Sequence, residues 1–191
     1  MCGIAGIVSS NPGFVSNERL KVMSESLSHR GQDGDATWLN DAGEVGFSHR
    51  RLAIIDLSDG GKQPMHYAGR YTIVYNGEVY NYLELRAELE KKGYQFISKT
   101  DTEVILAAYD HYRENCVDHF DGMFAFVIWD EKEKNLFAAR DRFGEKPFYY
   151  FFDDEQLVFG SEMKALWAAG IPKVLNQKMA FNYLTIGYLD N

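Results

Sequence analysis

The chain has 191 residues, 46% hydrophobic and 25% charged, which allows a sizeable core and excludes a disordered chain. Its 28 acidic residues outnumber its 20 basic ones, and no basic run breaks the formal net charge of -8, so we expect no nucleic-acid partner. No apolar stretch nears the roughly 20 residues of a membrane span, so no membrane association is expected. Cys2 and Cys116 are too few for a disulfide framework, which favours a cytoplasmic location.

The first half of the chain predicts a strand, a helix and then several short strands. An apolar strand at 4–8 ends in a Ser-Ser-Asn-Pro-Gly turn, and apolar residues recur at helical spacing over 17–27. The polar stretch at 29–34 and the Gly- and Pro-containing stretch at 58–69 are predicted to be loops. The strand candidates between these loops are 36–39, 45–49 and 52–56.

The second half combines further strands with capped helices. Capping boxes that begin at Asn81 and Thr100 predict helices that end at Lys92 and Tyr112, and Ser161 is the predicted cap of a third helix. The predicted strands are 71–75, 123–129, 136–139, 148–152 and 157–159, the last two forming a hairpin. Because strands and helices do not alternate regularly, this order favours an α+β fold with layered antiparallel sheets.

Cys2 is the most informative residue, because initiator methionine is usually removed before a small second residue. Removal of Met1 would leave a free α-amine beside a thiol on the same residue. An α-amine titrates at about 7.7–8.0, so it can act as the general base for its own side chain. On position alone, Cys2 could equally be a small buried cysteine at the edge of a strand.

A series of motifs resembles one family over nearly the whole chain. In order, the motifs are MCGIAGIV, SHRGQDG, HRRLAIIDL, YNGEVYN, KTDTEVIL, GMFAFVIWD, ARDRFGEKPFYY and SEMKAL. Together they resemble the N-terminal glutaminase domain of glutamine-hydrolysing asparagine synthetases, a class II glutamine amidotransferase domain. The resemblance implies the N-terminal nucleophile hydrolase fold, a four-layer αββα sandwich of two mostly antiparallel sheets. It also implies that Cys2 is the nucleophile.

The family pattern places an arginine for the substrate carboxylate directly before Leu52, which selects Arg51 over His49 and Arg50. The fork of a guanidinium suits a carboxylate, because two parallel charge-assisted bonds fix its position and its orientation. Without the resemblance, Arg51 would be a surface arginine flanking a strand.

Asn76 and Gly77 match the family's oxyanion hole, which uses the asparagine side-chain amide and the glycine backbone N–H. From the residues alone, Asn-Gly is equally a hairpin turn. Asp101 and Glu78 match the partners of the substrate's α-ammonium group. Asp101 also suits the first turn of a helix, and Glu78 could simply lie on a solvated strand.

Other candidate sites are rejected on spacing. Asp33-Gly34-Asp35 lacks the ligand spacing of a calcium loop, and Cys116 and His119 form an isolated pair without the second pair of a zinc site. We therefore expect no metal and no cofactor in this chain, and a structural or surface thiol at Cys116.

The resemblance implies hydrolysis of glutamine to glutamate and ammonia, and transfer of the ammonia to an ATP-activated carboxylate, with aspartate favoured. Residues 1–191 are predicted to form one glutamine amidotransferase domain. ATP and Mg²⁺ are expected only in a C-terminal synthetase domain, the expected partner, and a homodimer remains one option. The alternatives are a silent domain that binds a partner or an amino acid, an N-terminal nucleophile hydrolase of another amide, and amidation of a sugar or peptide carboxylate.

Overall fold

The structure is a computed structural model that describes residues 1–53 and 59–187. Within these ranges the strands are β1 (Gly3–Ser9), β2 (Gly34–Leu39), β3 (Val45–Arg51), β4 (Met65–Tyr67), β5 (Tyr71–Val79), β6 (Gly122–Asp130), β7 (Asn135–Arg140), β8 (Tyr149–Phe152) and β9 (Gln156–Gly160). The α-helices in the same ranges are α1 (Asn17–Ser26), α2 (Tyr82–Lys91), α3 (Asp101–Tyr112), α4 (Met163–Ala168) and α5 (Gln177–Ile186). None of the helices in these ranges is long and apolar enough to cross a lipid bilayer.

The strands form two antiparallel sheets, one ordered β2-β3-β1-β9-β8 and the other β4-β5-β6-β7. β1 is the middle strand of the first sheet and lies between β3 and β9. β5 pairs with β6 along its whole length, with Tyr71 opposite Asp130 and Val79 opposite Gly122. The N-terminal residues are therefore held at the end of a central strand.

Three apolar clusters show how the layers are stacked. One cluster joins the outer face of the first sheet to α1 and α4, with Ile7, Leu20 and Leu166 among its members. A second joins the other sheet to α2 and α3. The third lies between the two sheets and includes Ile4 and Val127. Because neighbouring side chains of β1 enter different clusters, the strand is covered on both faces, and the predicted αββα sandwich is confirmed.

The predicted elements match the structure except at a few places. β3 continues two residues beyond the predicted 45–49, and β4 lies inside the stretch predicted to be a loop. Leu52 and Ala53 lie outside any strand, so the predicted strand at 52–56 is wrong there, and its remaining positions fall outside the described residues. The sequence reasoning also missed α5, all of whose residues are at least partly exposed.

Two of the three predicted helix caps are wrong. The Thr100 side chain accepts the Glu103 N–H as predicted, although the Glu103 carboxylate reaches the backbone N–H of Ser98, at 2.7 Å, rather than that of Thr100. Asn81 makes no capping bond, because its side chain bonds instead to backbone groups near the end of the short helix after α3. Ser161 accepts the N–H of Ile4, at 3.0 Å, and so links β1 to the start of α4 rather than capping the helix.

Candidate active site

Cys2 lies immediately before β1, and its side chain faces a cavity between the ends of the two sheets. Its sulfur accepts a hydrogen bond from the backbone N–H of Leu52, with Sγ and N 3.3 Å apart. The thiol is also 3.5 Å from the Leu52 carbonyl oxygen, to which it can donate. The backbone of Leu52, the residue directly after β3, therefore fixes the sulfur on the cavity wall.

The surroundings of Cys2 favour a thiol over a thiolate. Burial raises the pKa of Cys2, and this effect outweighs the opposing influence of the Leu52 N–H, the N-terminal amine, Arg51 and Lys146. A thiol with a raised pKa is a weak nucleophile at neutral pH, because the thiolate is the reactive form. Catalysis by this residue consequently needs a base close to the sulfur.

Asn76 and Gly77 lie within β5, so the hairpin-turn interpretation of this pair is wrong. Asn76 pairs with Ala125 and Gly77 with Phe124, in the middle of the β5–β6 ladder. The Asn76 side chain is buried, and its Nδ2 has no hydrogen-bond partner within the described parts of the chain. A Cβ at position 77 would come within 2.3 Å of the Met123 carbonyl oxygen, so only glycine fits there without displacing the backbone of β6. An unpaired amide donor thus lies on the cavity wall.

Asp101 is the first residue of α3, as its place in the helix predicted, and it also lines the cavity, while its contact with a substrate ammonium group stays a prediction. One oxygen of its carboxylate accepts the hydroxyl of Tyr75, at 2.7 Å, and the N–H of Val79, at 3.1 Å. Burial raises the pKa of Asp101, and this effect outweighs the hydrogen bonds that lower it. These contacts fix the direction in which the carboxylate points.

Glu78 and Arg51 line the same cavity from β5 and from the end of β3, and both are half-buried. Arg50 instead donates to the Ser24 carbonyl of α1, at 3.0 Å, so it belongs to the outer face of its sheet. All six residues predicted from the sequence therefore surround one cavity: Cys2, Arg51, Asn76, Gly77, Glu78 and Asp101.

The structure adds Arg30 and His49, which the sequence reasoning did not single out as site residues. Arg30 donates from Nε to the Cys2 carbonyl oxygen, at 3.0 Å, and from Nη1 to Glu162, at 3.0 Å. His49 is buried in the cavity wall, and burial lowers its pKa to about 4. These residues lie within the motifs SHRGQDG and HRRLAIIDL, but only the folded chain shows that they lie close to Cys2 and its cavity.

Met1 contributes to the cavity wall in this form of the chain. Its thioether sulfur lies 3.6 Å from Lys146 Nζ and 4.0 Å from Arg30 Nη2. While Met1 is attached, the nitrogen of Cys2 belongs to a peptide bond and cannot accept a proton. Cys116, in contrast, is buried in the apolar core beneath α3, as expected of a structural thiol.

Among the described residues, no group of three or more His, Cys, Asp or Glu side chains is arranged to hold a metal ion. The cavity instead presents donors and acceptors of both signs: a guanidinium, carboxylates, an amide and a thiol. Such a set can hold a zwitterionic ligand and place it against a nucleophile.

Residues 1–191 match the family described as a glutamine amidotransferase domain. The chain is 48% identical over 174 residues to glutamine-hydrolyzing asparagine synthetase 3 of Bacillus subtilis (strain 168), covering 88% of this chain and 28% of that protein. It is 44% identical over 193 residues to asparagine synthetase 1 of the same organism, covering 96% of this chain and 30% of that protein. The chain therefore spans less than a third of the length of these relatives.

Among solved structures, the fold is similar to that of glutamine phosphoribosylpyrophosphate amidotransferase from B. subtilis, with a TM-score of 0.74 and 22% identity. That match covers 88% of this chain and 44% of the other. A structure titled as the allosteric regulatory enzyme of purine biosynthesis matches with a TM-score of 0.67 and 22% identity, covering 88% of this chain and 43% of that one. At this identity the likeness shows the fold, and it agrees with the layers and sheet order described above.

Proposed function

This chain belongs to the glutamine amidotransferase domain family, and from that premise we propose that its processed form hydrolyses glutamine through a thioester on Cys2. One observation carries the proposal: the Cys2 sulfur faces the same cavity as the Asp101 carboxylate, Arg51 and the Asn76 amide, whose nitrogen has no hydrogen-bond partner among the described residues. Nucleophile, oxyanion donor and groups of opposite charge for an amino acid meet there, as hydrolysis of an amino-acid side-chain amide requires.

The first half of the reaction forms the thioester. Once Met1 is removed, the α-amine of Cys2 takes the thiol proton, and the sulfur attacks the side-chain amide carbon of glutamine. The Asn76 amide and the Gly77 N–H stabilise the negative oxygen of the tetrahedral intermediate. The carbon–nitrogen bond then breaks, and the protonated amine returns its proton to the departing nitrogen, which leaves as ammonia.

The second half of the reaction releases glutamate. The same α-amine, now neutral, takes a proton from water, and the resulting hydroxide attacks the thioester carbon. A second tetrahedral oxyanion forms against Asn76 and Gly77, and the carbon–sulfur bond breaks. The sulfur regains the proton from the amine, so the enzyme is restored without a cofactor.

The ends of the substrate are held away from the reacting bond. Arg51 binds the α-carboxylate, and Asp101 and Glu78 bind the α-ammonium group. The Asp101 carboxylate is preoriented by Tyr75 and Val79, so little ordering is required when the substrate arrives. Binding at this end selects an amino acid and aligns its side-chain amide with Cys2.

We further propose that the ammonia serves an ATP-dependent synthetase domain of a longer protein, with aspartate as the favoured acceptor. The support is the names of the two relatives, both glutamine-hydrolyzing asparagine synthetases of which this chain spans less than a third. ATP and Mg²⁺ would act only in that domain.

The test of glutamine hydrolysis is the production of ammonia and glutamate by the chain after Met1 is removed, with removal verified by mass spectrometry. We expect equimolar ammonia and glutamate from glutamine, and little product from asparagine, whose amide lies one methylene short of the sulfur. Failure of the processed, folded chain to release either product would contradict the proposal.

Replacement of Asp101 with asparagine is expected to raise KM for glutamine by about 10- to 100-fold, with a smaller change in kcat. The side chain keeps its shape, but a charge-assisted hydrogen bond to the α-ammonium group, worth about 1.5–3 kcal/mol, is lost. Steady-state kinetics of ammonia release measure both constants.

Asp154→Asn is the matched control, because this exposed residue in the β8–β9 turn loses the same charge away from the cavity. A KM for Asp101→Asn equal to that of the control would show that Asp101 does not bind the substrate.

A further inference from the structure

Lys146 is buried in the wall of the cavity, although lysine is rarely buried without a charged partner. Only 6% of the residue is exposed, and it lines the cavity together with Cys2 and Asn76. Within the described residues no carboxylate lies within ion-pair distance of its Nζ, which contacts the Met1 thioether instead. A thioether is a weak hydrogen-bond acceptor and compensates a buried cation poorly. Loss of Met1 would remove even this contact.

Backbone hydrogen bonds hold Lys146 in this place. The residue lies in the loop between β7 and β8, where the Asp141 carboxylate accepts the N–H groups of Lys146, at 3.0 Å, and Glu145, at 2.9 Å. Arg140 donates from Nε to the Lys146 carbonyl oxygen, at 2.6 Å. A loop fixed at these points directs the lysine side chain toward the N-terminal residue.

The other charged groups around Cys2 leave Lys146 as a buried cation without a matching anion in the described residues. Arg30 contacts the Cys2 carbonyl and is paired with Glu162, at 3.0 Å. Burial lowers the pKa of His49 to about 4, so this residue is neutral near pH 7. Among the described residues, the titratable and charged side chains around the N-terminal residue and its cavity are Arg30 before β2, His49 and Arg51 of β3, Tyr75 and Glu78 of β5, Asp101 of α3, Lys146 before β8 and Glu162 before α4.

We propose that Lys146 is a positioning residue whose ammonium keeps the α-amine of processed Cys2 in its neutral, proton-accepting form and favours the Cys2 thiolate. The inference rests on the proposed function, because it assigns a role toward the same thiol and amine. Removal of Met1 creates the new amine on Cys2, which lines the same cavity as Lys146, and it also removes the side chain that Lys146 contacts. Two positive charges in the wall of one cavity repel each other, so a protonated amine is disfavoured there.

The positive charge of Lys146 also stabilises the negatively charged thiolate of Cys2. Burial raises the pKa of Cys2, and Lys146 is one of the cations that oppose this rise. An α-amine in water titrates at about 7.7–8.0, so lowering its pKa by one unit makes about half to two-thirds of it neutral at pH 7. Lys146 would thus keep the α-amine of Cys2 available as a base at neutral pH, where this amine would otherwise be mostly protonated.

The test is the pH dependence of kcat/KM for glutamine in processed wild type, Lys146→Met and Lys146→Arg. Lys146→Met is expected to move the midpoint of the acidic limb up by about one pH unit. Activity near pH 6.5 should then fall about 10-fold, while activity on the alkaline plateau changes little. Lys146→Arg keeps the charge and should keep the wild-type midpoint. Lys132→Met is the matched control, because it removes an exposed cation from the β6–β7 turn at the far end of the sheet.

A second measurement requires no substrate: the rate of Cys2 alkylation by iodoacetamide as a function of pH, mapped by mass spectrometry. Its midpoint should rise in Lys146→Met and not in Lys132→Met. An unchanged midpoint in both experiments, or an equal loss of activity at every pH, would overturn the role of Lys146. Wild-type protein without glutaminase activity, but with Lys146-dependent alkylation, would contradict the proposed function alone.

Discussion

Cys2→Ala is expected to lower the turnover of glutamine by at least about 10⁴-fold, to the limit of detection, because the variant cannot form a thioester. Substrate should still bind, since Arg51 and Asp101 are unchanged in this variant and continue to line the cavity. The measurement is ammonia release under saturating glutamine, together with glutamine binding by calorimetry. Retained binding with lost turnover would place the residue in the chemical step.

Cys116→Ala is the matched control, because the chain has only these two cysteines and both are free thiols. The Cys116 side chain is packed in the apolar core, where burial raises its pKa to about 12, so it has almost no thiolate at neutral pH. We expect some loss of stability and a nearly wild-type kcat. Equal activity in the two variants would remove Cys2 from the role of nucleophile.

Asn76→Ala is expected to lower kcat by about 10²- to 10³-fold, with a much smaller change in KM. Loss of one oxyanion donor typically costs about 2.7–4 kcal/mol of transition-state stabilisation. The Asn76 amide is buried and has no hydrogen-bond partner in the described structure, so it is available to the developing oxyanion without breaking an existing bond. Single-turnover kinetics of ammonia release would show whether the chemical step is the one that slows.

The control for this variant is Asn40→Ala, which removes a second buried asparagine from the turn between β2 and β3. Asn40 accepts backbone N–H groups there and does not line the active-site cavity, so its loss should lower stability without slowing turnover. A raised KM with an unchanged kcat in Asn76→Ala would instead show that the amide binds the ground-state substrate.

The order of strands and helices was sufficient to favour an α+β fold with layered antiparallel sheets, whereas the four-layer sandwich was expected only from the family resemblance. Asn76-Gly77 shows where local signals fail. This pair favours a hairpin turn in isolation, but pairing with Ala125 and Phe124 on β6 keeps the strand straight through it. The sequence of β5 alone does not show that Asn76 and Gly77 pair with residues of β6.

The wrong helix cap at Ser161 and the cavity residues that the sequence did not reveal have the same cause, which is contact between distant parts of the chain. Ser161 bonds to Ile4, a residue 157 positions away, so no local pattern could distinguish this contact from a helix cap. Lys146 reaches the N-terminal residue only because the β7–β8 loop is folded around Asp141. The locations of Cys2 and Asp101 in one cavity were expected from the family resemblance, whereas the groups that orient them are brought together only by the folded chain.

The most direct test of the account is a single preparation carrying a cleavable N-terminal leader, assayed with glutamine before and after a protease releases Cys2 as the first residue. Mass spectrometry and circular dichroism would establish the new terminus and an unchanged fold. We predict no ammonia release before cleavage and full activity after it, because only then does the thiol have a basic nitrogen beside it. Equal rates before and after cleavage would contradict the central role of the free amine.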